Sequence, residues 1–331
     1  MRAIVVERPG GPEVLTFGIV PDPSPGPNDV VVRVHATALN RLDLLQREGR
    51  YPVPPGAPDI LGVEMAGEVA RLGDLVRDLA VGDRVCALLP GGGYAEYVSI
   101  PAAMAIPIPD RLSFEEAAGI PEVFLTSYLN LFDLGGLQSG GCVLLHAGAS
   151  GVGTAAIQLA REAGAEVLVT AGTAAKLAAC RRLGATFTWN YHDGPFEPAV
   201  IEHVGARGVD VILDMVGAPY WSQNLACLAV EGRLILVSML GGSTLQLDLA
   251  ALQRKRIRVI GTTLRPLPLE RKIALTLDFA RFALPRFAAG SLSPVIDRVF
   301  DWANAGEAHR YMALNQNIGK IVLRVGAASA G

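Results

Sequence analysis

Cysteine is scarce and scattered in this chain. Four occur in 331 residues, at Cys86, Cys142, Cys180 and Cys227, and none forms a CxxC pair. Their wide, irregular spacing argues against a disulfide framework and for reduced thiols, so a cytoplasmic setting is expected. No run of about 18 uninterrupted apolar residues is present, and no membrane span is expected. The start, MRAIVVERPGG, alternates and then breaks at Pro9 and Gly10, as a strand does and a signal peptide does not. Long basic runs are also missing. The formal net charge is -3, and the densest cluster, Arg254, Lys255, Arg256 and Arg258, reads as a solvated turn before a strand. No nucleic-acid partner is expected on that footprint. The five histidines, His35, His146, His192, His203 and His309, show no metal-ligand spacing and join no Ser-His-Asp or Cys-His grouping. His146 reads as a packing residue at the end of a core strand.

What is present suits two domains. Hydrophobic residues make up 50% of the chain and charged residues 18%, enough for substantial cores, with only a small-residue tail at 327–331 expected to stay unstructured. Residues 1 to about 120 predict short strands over 3–7, 30–38, 64–72, 84–88 and 94–100, separated by Pro- and Gly-rich linkers such as 21–27 and 52–58. Ser113 and Glu116 have capping-box spacing ahead of an apolar run. From there strands and helices alternate. Continuous apolar runs predict strands over 142–146, 166–170, 186–190, 209–214, 233–238 and 257–262, with helices over 152–163, 174–183, 195–204 and 221–228. This is an α/β pattern with a doubly wound parallel sheet. Helices over 270–288 and 305–314 and a strand over 320–325 follow, and this tail is expected to return to the first domain. The expected division is 1–122 with 266–331, and 123–265.

The strongest motif opens the parallel sheet. Cys142-Val-Leu-Leu-His146 leads into Ala147-Gly148-Ala149-Ser150-Gly151-Val152-Gly153 and then a helix. The glycines are spaced G-x-x-G-x-G, inverting the usual dinucleotide order, but the physical demands match. The turn must be tight, the backbone must approach a pyrophosphate, and the helix must pack closely on the strand. The helix N-terminus offers unpaired N–H groups and a positive dipole end to phosphates. Gly148, Ser150, Gly151, Val152 and Gly153 are therefore candidate cofactor residues.

Coenzyme choice turns on a missing acid. An NAD site places a carboxylate about 20 residues after the glycines, on the ribose hydroxyls. Here the next strand ends in Ala171-Gly172-Thr173-Ala174-Ala175-Lys176. Gly172 and Thr173 are small, Lys176 can meet a 2′-phosphate, and Tyr191 after the third strand can add a phenolic donor. Lys176 is otherwise an ordinary solvated helix residue; with the acid missing, NADPH is the favoured cofactor.

These segments together identify a family likeness. Asn40-Arg-Leu-Asp-Leu-Leu-Gln-Arg-Glu-Gly49, Pro55-Gly56 with Ile60-Leu-Gly-Val-Glu64, Val81-Gly-Asp-Arg-Val85, Gly92-Gly-Tyr-Ala-Glu96, the 146–153 turn and Asn317-Ile-Gly-Lys-Ile-Val322 resemble the medium-chain dehydrogenase/reductase superfamily. Within it the chain is most similar to the zinc-free quinone oxidoreductase branch and its p53-inducible quinone oxidoreductase-like members. The resemblance implies a GroES-like, mostly β catalytic domain joined to a Rossmann domain, an active site between them, and a homodimer formed through the last Rossmann strand, 257–262. Zinc-dependent relatives carry cysteine where this chain has Asn40 and histidine where it has Val63. They also carry a four-cysteine lobe where only Cys86 occurs, so no metal is expected.

By resemblance Asn40, Asp43 and Tyr51 lie near the nicotinamide end as candidate catalytic residues, Asn40 to hydrogen-bond cofactor or acceptor oxygen and Tyr51 to stack on, or donate to, a planar acceptor. Asn40 is otherwise a turn-capping residue, Asp43 a solvated acid, and Tyr51 a packing ring. Thr126 resembles a cofactor contact on the helix between the domains, and Asn317 one that closes over the cofactor. Met239, Leu240 and Gly241 follow the fifth parallel strand, and Leu264 and Arg265 the sixth, at the strand ends where such sheets bind ligands. Glu64 reads as structural, paired to a cation. Without a Lewis acid to hold an alkoxide, the expected reaction is NADPH-dependent reduction of a quinone or similar conjugated carbonyl compound, whose own π system takes up the charge. Two alternatives stay open: an enoyl or 2-alkenal reductase on the same scaffold, and a non-catalytic NADPH-binding sensor or crystallin-like RNA-binding protein.

Overall fold

The computed structural model describes residues 1–247 and 249–326; the tail expected at 327–331 lies outside the described residues. The chain opens with β1 (Arg2–Val6) and β2 (Leu15–Ile19), an antiparallel pair. Next come β3 (Asp29–Ala38), α1 (Arg41–Arg47), β4 (Glu64–Leu72), β5 (Arg84–Leu88), β6 (Tyr97–Pro101) and β7 (Ile106–Pro107). Then α2 (Phe114–Ala118) begins with the predicted capping box. Ser113 Oγ accepts the Glu116 N–H at 3.1 Å, and the Glu116 carboxylate accepts the Ser113 N–H at 2.8 Å. Helix α3 (Pro121–Tyr128) carries the chain from one compact unit into another. The first unit holds Met1–Leu125 and the chain from Arg265 onward; the second is Thr126–Leu264.

The second unit alternates strictly. Its elements are β8 (Cys142–Leu145), α4 (Gly151–Glu162), β9 (Glu166–Ala171), α5 (Ala174–Leu183), β10 (Phe187–Asn190), α6 (Glu197–Val204), β11 (Val209–Asp214), α7 (Trp221–Cys227), β12 (Leu228–Leu236), α8 (Leu249–Lys255) and β13 (Arg258–Gly261). All six strands are parallel, in the order β10-β9-β8-β11-β12-β13. Numbered within the unit this is 3-2-1-4-5-6, the doubly wound order whose reversal point lies between β8 and β11. Cys142, Leu144, Leu168, Ile212 and Leu234 are fully buried, which explains why the central strands read as unbroken apolar runs.

Two details depart from expectation. Strand β12 begins at Leu228 rather than 233, with the irregularity concentrated at Glu231, whose φ is 64°, and a register shift against β11 between Val209 and Val211. The basic cluster at 254–258 spans the turn before β13 with Arg254, Arg256 and Arg258 exposed, as expected, but Lys255 is not solvated. Lys255 ends α8, and its Nζ donates to the carbonyls of Leu225 (3.0 Å), Ala226 (2.7 Å) and Leu228 (2.7 Å), closing the C-terminus of α7.

The tail comprises α9 (Leu269–Ala289), β14 (Ile296–Asp301), α10 (Ala305–Ala313) and β15 (Lys320–Arg324). It belongs to the first unit, where β15 pairs antiparallel with β3, Val322 opposite Ala38. That sheet runs β14-β15-β3-β4-β5-β7, with β6 also on β3. Ile4, Val32, Val34, Leu39, Met65, Ile321 and Leu323 form part of its core.

Candidate functional site

Parallel strands bring all their C-terminal ends to one edge, and the candidate residues of the second unit gather there. After β8, Ala147 takes the left-handed backbone at φ 52°, so the tight turn falls on an alanine and not on a glycine. The glycines answer a different need. A Cβ on Gly148 would strike Val169 of β9, and one on Gly153 would lie 2.5 Å from the Gly148 carbonyl oxygen. Gly148 N–H also bonds the Thr170 carbonyl at 3.0 Å, tying the turn to β9. Ser150 caps α4 by accepting the Gly153 N–H at 3.0 Å, which leaves the N–H groups of Gly151 and Val152 directed out of the helix end. A close-packed turn with unspent donors at the N-terminus of a 12-residue helix fits a dinucleotide pyrophosphate.

The next strand end supplies a second corner. Thr173 caps α5 by accepting the Lys176 N–H at 3.2 Å. A Cβ on Gly172 would collide with the Tyr191 hydroxyl, so glycine there makes room for the phenol. Tyr191 is 44% exposed and Lys176 half-buried. Across the sheet, the loop after β12 is laced to the one after β11: Leu240 N–H to Met215 O at 3.1 Å, and Gly241 N–H to Val216 O at 2.8 Å. Met239 and Leu240 remain exposed, whereas Leu264 is buried. Thr126 is buried, its carbonyl accepting from Asn130 Nδ2 at 2.7 Å.

The first unit holds Asn40, Asp43, Tyr51, Arg265 and Asn317. Asn40 lies at the end of β3, and its amide is committed to the protein. Nδ2 donates to Glu64 Oε1 at 2.8 Å and approaches the Ala38 carbonyl at 3.4 Å, while Oδ1 accepts from Lys320 Nζ at 2.7 Å. Lys320 is the cation of Glu64: Nζ to Oε1 is 2.8 Å, and the same nitrogen donates to Leu39 O at 2.7 Å. The other Glu64 oxygen accepts the Glu122 N–H at 2.8 Å, near the start of α3. Asp43 is neither solvated nor open. It is fully buried, Oδ2 accepting the Asn40 N–H at 2.7 Å and Oδ1 the Gly62 N–H at 3.1 Å. Burial pushes its carboxyl up to about 6, against the pull of those two N–H groups and of Lys320. Through these bonds both Asn40 and Asp43 serve the chain's own framework, and Asp43 is not the solvated acid of the plainer reading.

Tyr51 packs its ring beneath the Arg265 guanidinium, 5.5 Å from carbon to ring centre. Arg265 Nε donates to Pro90 O and Nη1 to Gln46 Oε1, both at 2.8 Å, while Nη2 is buried with no acceptor among the described residues. Asn317 spends its Nδ2 on the Gly319 carbonyl at 2.7 Å.

Two family models match: the Alcohol dehydrogenase GroES-like domain over residues 26–110 and the Zinc-binding dehydrogenase over 151–279. Human quinone oxidoreductase is 31% identical over 314 residues, covering 93% of both chains. The chain belongs to the medium-chain dehydrogenase/reductase superfamily. Human synaptic vesicle membrane protein VAT-1 homolog is 30% identical over 98% of this chain and 86% of its own. Among solved structures, an NAD-dependent alcohol dehydrogenase superposes with a TM-score of 0.87 at 34% identity, covering 98% of this chain and 100% of that one. Escherichia coli quinone oxidoreductase complexed with NADPH gives 0.87 at 28%, with the same coverage. The CurK enoyl reductase gives 0.87 at 27%, covering 98% and 99%.

The zinc named by the second family model finds no seat. Asn40 has its amide fully engaged, Val63 offers no donor, and both Glu64 oxygens are taken. Among the described residues no group of three or more His, Cys, Asp or Glu side chains is placed to hold a metal ion. No helix among them is long and apolar enough to cross a membrane.

The sequence pointed to the glycine turn and to Gly172, Thr173, Lys176 and Tyr191, and these do converge on one edge of one sheet. It gave no role to Lys320, Gln46, Asn224 or Asp214. Lys320 sat in a matched motif, but a lysine at a strand start looks the same whether its amine is solvated or buried.

Proposed function

We propose that this protein is an NADPH-dependent, zinc-independent reductase of quinones or similar conjugated carbonyl compounds. The observation that carries it is that Asn40, where zinc-dependent relatives carry cysteine, is held by Glu64 and Lys320, while Val63, where they carry histidine, offers no donor. The Lys320 amine beside Asn40 already donates to Glu64, Leu39 O and Asn40, so that cluster offers no Lewis acid to hold an alkoxide. An acceptor that delocalises incoming charge needs less from the protein.

When bound, NADPH supplies the hydride. The N–H groups of Gly151 and Val152 and the close approach permitted at Gly148 and Gly153 hold its pyrophosphate. Thr173, Lys176 and Tyr191 receive the 2′-phosphate, and the absence of a carboxylate after β9 is what favours NADPH over NADH. Within the second unit, Thr126, Met239, Leu240, Gly241 and Leu264 are the proposed contacts for the rest of the cofactor. Arg265 offers Nη2 as a donor still lacking an acceptor, and Tyr51 offers a planar face beside it. Asn40 and Asp43 act indirectly, fixing the backbone after β3. A homodimer through β13 follows the same reading: this strand ends the sheet with an unpaired edge, and Val259 on it is exposed.

The test is oxidation of NADPH with 1,2- and 1,4-quinones, with metal content measured on the same sample. Clear coenzyme binding without turnover of any quinone would remove the quinone assignment; activity that depends on stoichiometric zinc would remove the metal-free one. The likeness to an enoyl reductase supports a second acceptor class. Turnover of a 2-alkenal or enoyl thioester well above that of every quinone would choose it.

A further inference from the structure

A chain of four side chains, all without exposed surface, runs beneath the glycine turn. Asp214, at the end of β11, anchors it. Its Oδ1 accepts the N–H groups of Val216 (2.6 Å) and Gly217 (3.1 Å), and its Oδ2 accepts from Asn224 Nδ2 at 3.0 Å. That bond fixes the amide, so Asn224 turns its oxygen to His146 Nε2, 2.7 Å away. An oxygen cannot donate, so Nε2 carries the proton. The neutral ring then leaves Nδ1 as an acceptor, and Thr170 Oγ1, at 2.9 Å, must donate to it. Thr170 is also the residue whose carbonyl holds the Gly148 N–H. Phe196 and Tyr220 enclose the ring, with centroids 4.8 and 4.7 Å away. The titratable groups facing it are Asp214 and Tyr220. Burial pushes Tyr220 up to about 12, and burial likewise lowers His146, which keeps the imidazole neutral.

We propose that His146 is a positioning residue for the coenzyme, holding the ends of β8, β9 and β11 in a single register through this one-directional chain. The claim rests on the reading of 148–153 as the coenzyme turn. The three strand ends straddle the reversal point of the sheet, and each leads into a loop of the candidate site: 147–153, 171–173 and 215–217. An apolar filling would pack the same space without fixing those loops against one another, because dispersion contacts are not directional and hydrogen bonds are.

The experiment is calorimetric titration of NADPH, and separately of NADH, into the wild-type protein and into His146→Leu, Asn224→Leu, His146→Gln and Asn224→Asp, each checked by thermal melting. The expected result is that both leucine variants bind both coenzymes about tenfold or more weakly, by equal factors for the two, since the chain does not reach the 2′-phosphate. His146→Gln, whose amide can replace the Nε2–H donor, stays within about threefold of wild type. Asn224→Asp keeps the shape but sets a second carboxylate against Asp214. Its affinity relative to wild type therefore falls by about tenfold or more as pH rises from about 5.5 to about 8.5. Folded leucine variants that bind like wild type, loss confined to one coenzyme, or a pH-independent ratio for Asn224→Asp would each overturn the proposal. If the leucine variants do not fold, Asn224→Asp decides it. Wild-type protein that binds neither coenzyme brings down the reading of the turn itself, whereas normal wild-type binding with unaffected variants brings down only the role of His146.

Discussion

Lys320 Nζ lies 2.8 Å from Glu64 Oε1, and the two side chains are 4% and 0% exposed. A buried pair of this kind has met its desolvation cost only while both partners are present. Lys320→Met leaves a carboxylate in the core and removes two further bonds, to Leu39 O and Asn40 Oδ1. The expected loss is roughly 3–5 kcal/mol of unfolding free energy in urea titration. The double variant Lys320→Met, Glu64→Gln should lose less than the two single variants summed, because the orphaned charge is gone. Additive losses would mean that the pair is not coupled.

Asp43 gives a pH signature. Its carboxyl sits at about 6 in the folded protein against 3.8 when unfolded, chiefly through burial. The folded state therefore holds a proton that the unfolded chain has already released. The stability that Asp43 contributes is full below about pH 3.8 and is lost as pH rises through about 6, at about 1.4 kcal/mol per unit between those values. Asp43→Asn cannot titrate, so the stability advantage of wild type over the variant should shrink as pH climbs through that window. A constant difference across it would contradict the assignment.

His309 carries the opposite sign. It is buried in the first unit, with Arg47 Nη1 3.2 Å from Nδ1 and the Tyr94 hydroxyl 3.1 Å from Nε2. Arginine only donates, so Nδ1 is the acceptor and Nε2 carries the proton. Burial, and then the Arg47 charge, hold the imidazole down at about 3 against 6.5 when unfolded. Its contribution is full above about pH 6.5 and is lost as pH falls toward about 3. Between about pH 4 and 6 the slopes of Asp43 and His309 largely cancel in the wild type. Removing one unmasks the other, so His309→Gln should gain stability relative to wild type as pH falls, the reverse of the trend for Asp43→Asn.

The parallel sheet was legible because its strands are buried on both faces and so appear as apolar runs; 209–214 and the helix 174–183 match the structure residue for residue. Where one residue bends a strand, the pattern fails, as at Glu231 in β12. The short helix α1 was hidden for another reason. Its start is fixed by the Asp43 carboxylate accepting the Asn40 N–H, while the Asn40 side chain, which would ordinarily mark a cap, is turned to Glu64 and Lys320. The glycine turn was found, but its conformations were not, since nothing in the spacing says that Ala147 takes the positive φ. Buried polar partners such as Asn224 and His146 stand 78 residues apart. No periodicity connects them; only the return of the chain across the sheet does.

Gly148 is required by what lies against it. A methyl group there meets Val169, so Gly148→Ala should displace the turn from β9, strain the Gly148–Thr170 backbone bond and weaken coenzyme binding, at a stability cost of about 1–3 kcal/mol. Val169→Ala opens the space that the added methyl needs. The double variant should regain both melting temperature and affinity relative to Gly148→Ala alone. If Val169→Ala gives no relief, the glycine serves the ligand directly and not the packing.

On the proposed function, Lys176 is the residue that separates the two coenzymes. It lies in the first turn of α5, beside the Thr173 cap and the Gly172–Tyr191 contact, with no carboxylate nearby in sequence to oppose a phosphate. A charge-assisted bond to a 2′-phosphate contributes about 1.5–3 kcal/mol, so Lys176→Ala should weaken NADPH by roughly 10- to 100-fold and leave NADH nearly unchanged. Because the group is only half-buried, salt should screen the contact, and the NADPH preference of wild type should narrow as ionic strength rises while that of the variant stays flat. Equal losses for both coenzymes would place Lys176 outside the phosphate corner and leave Tyr191 and Thr173 to account for any preference.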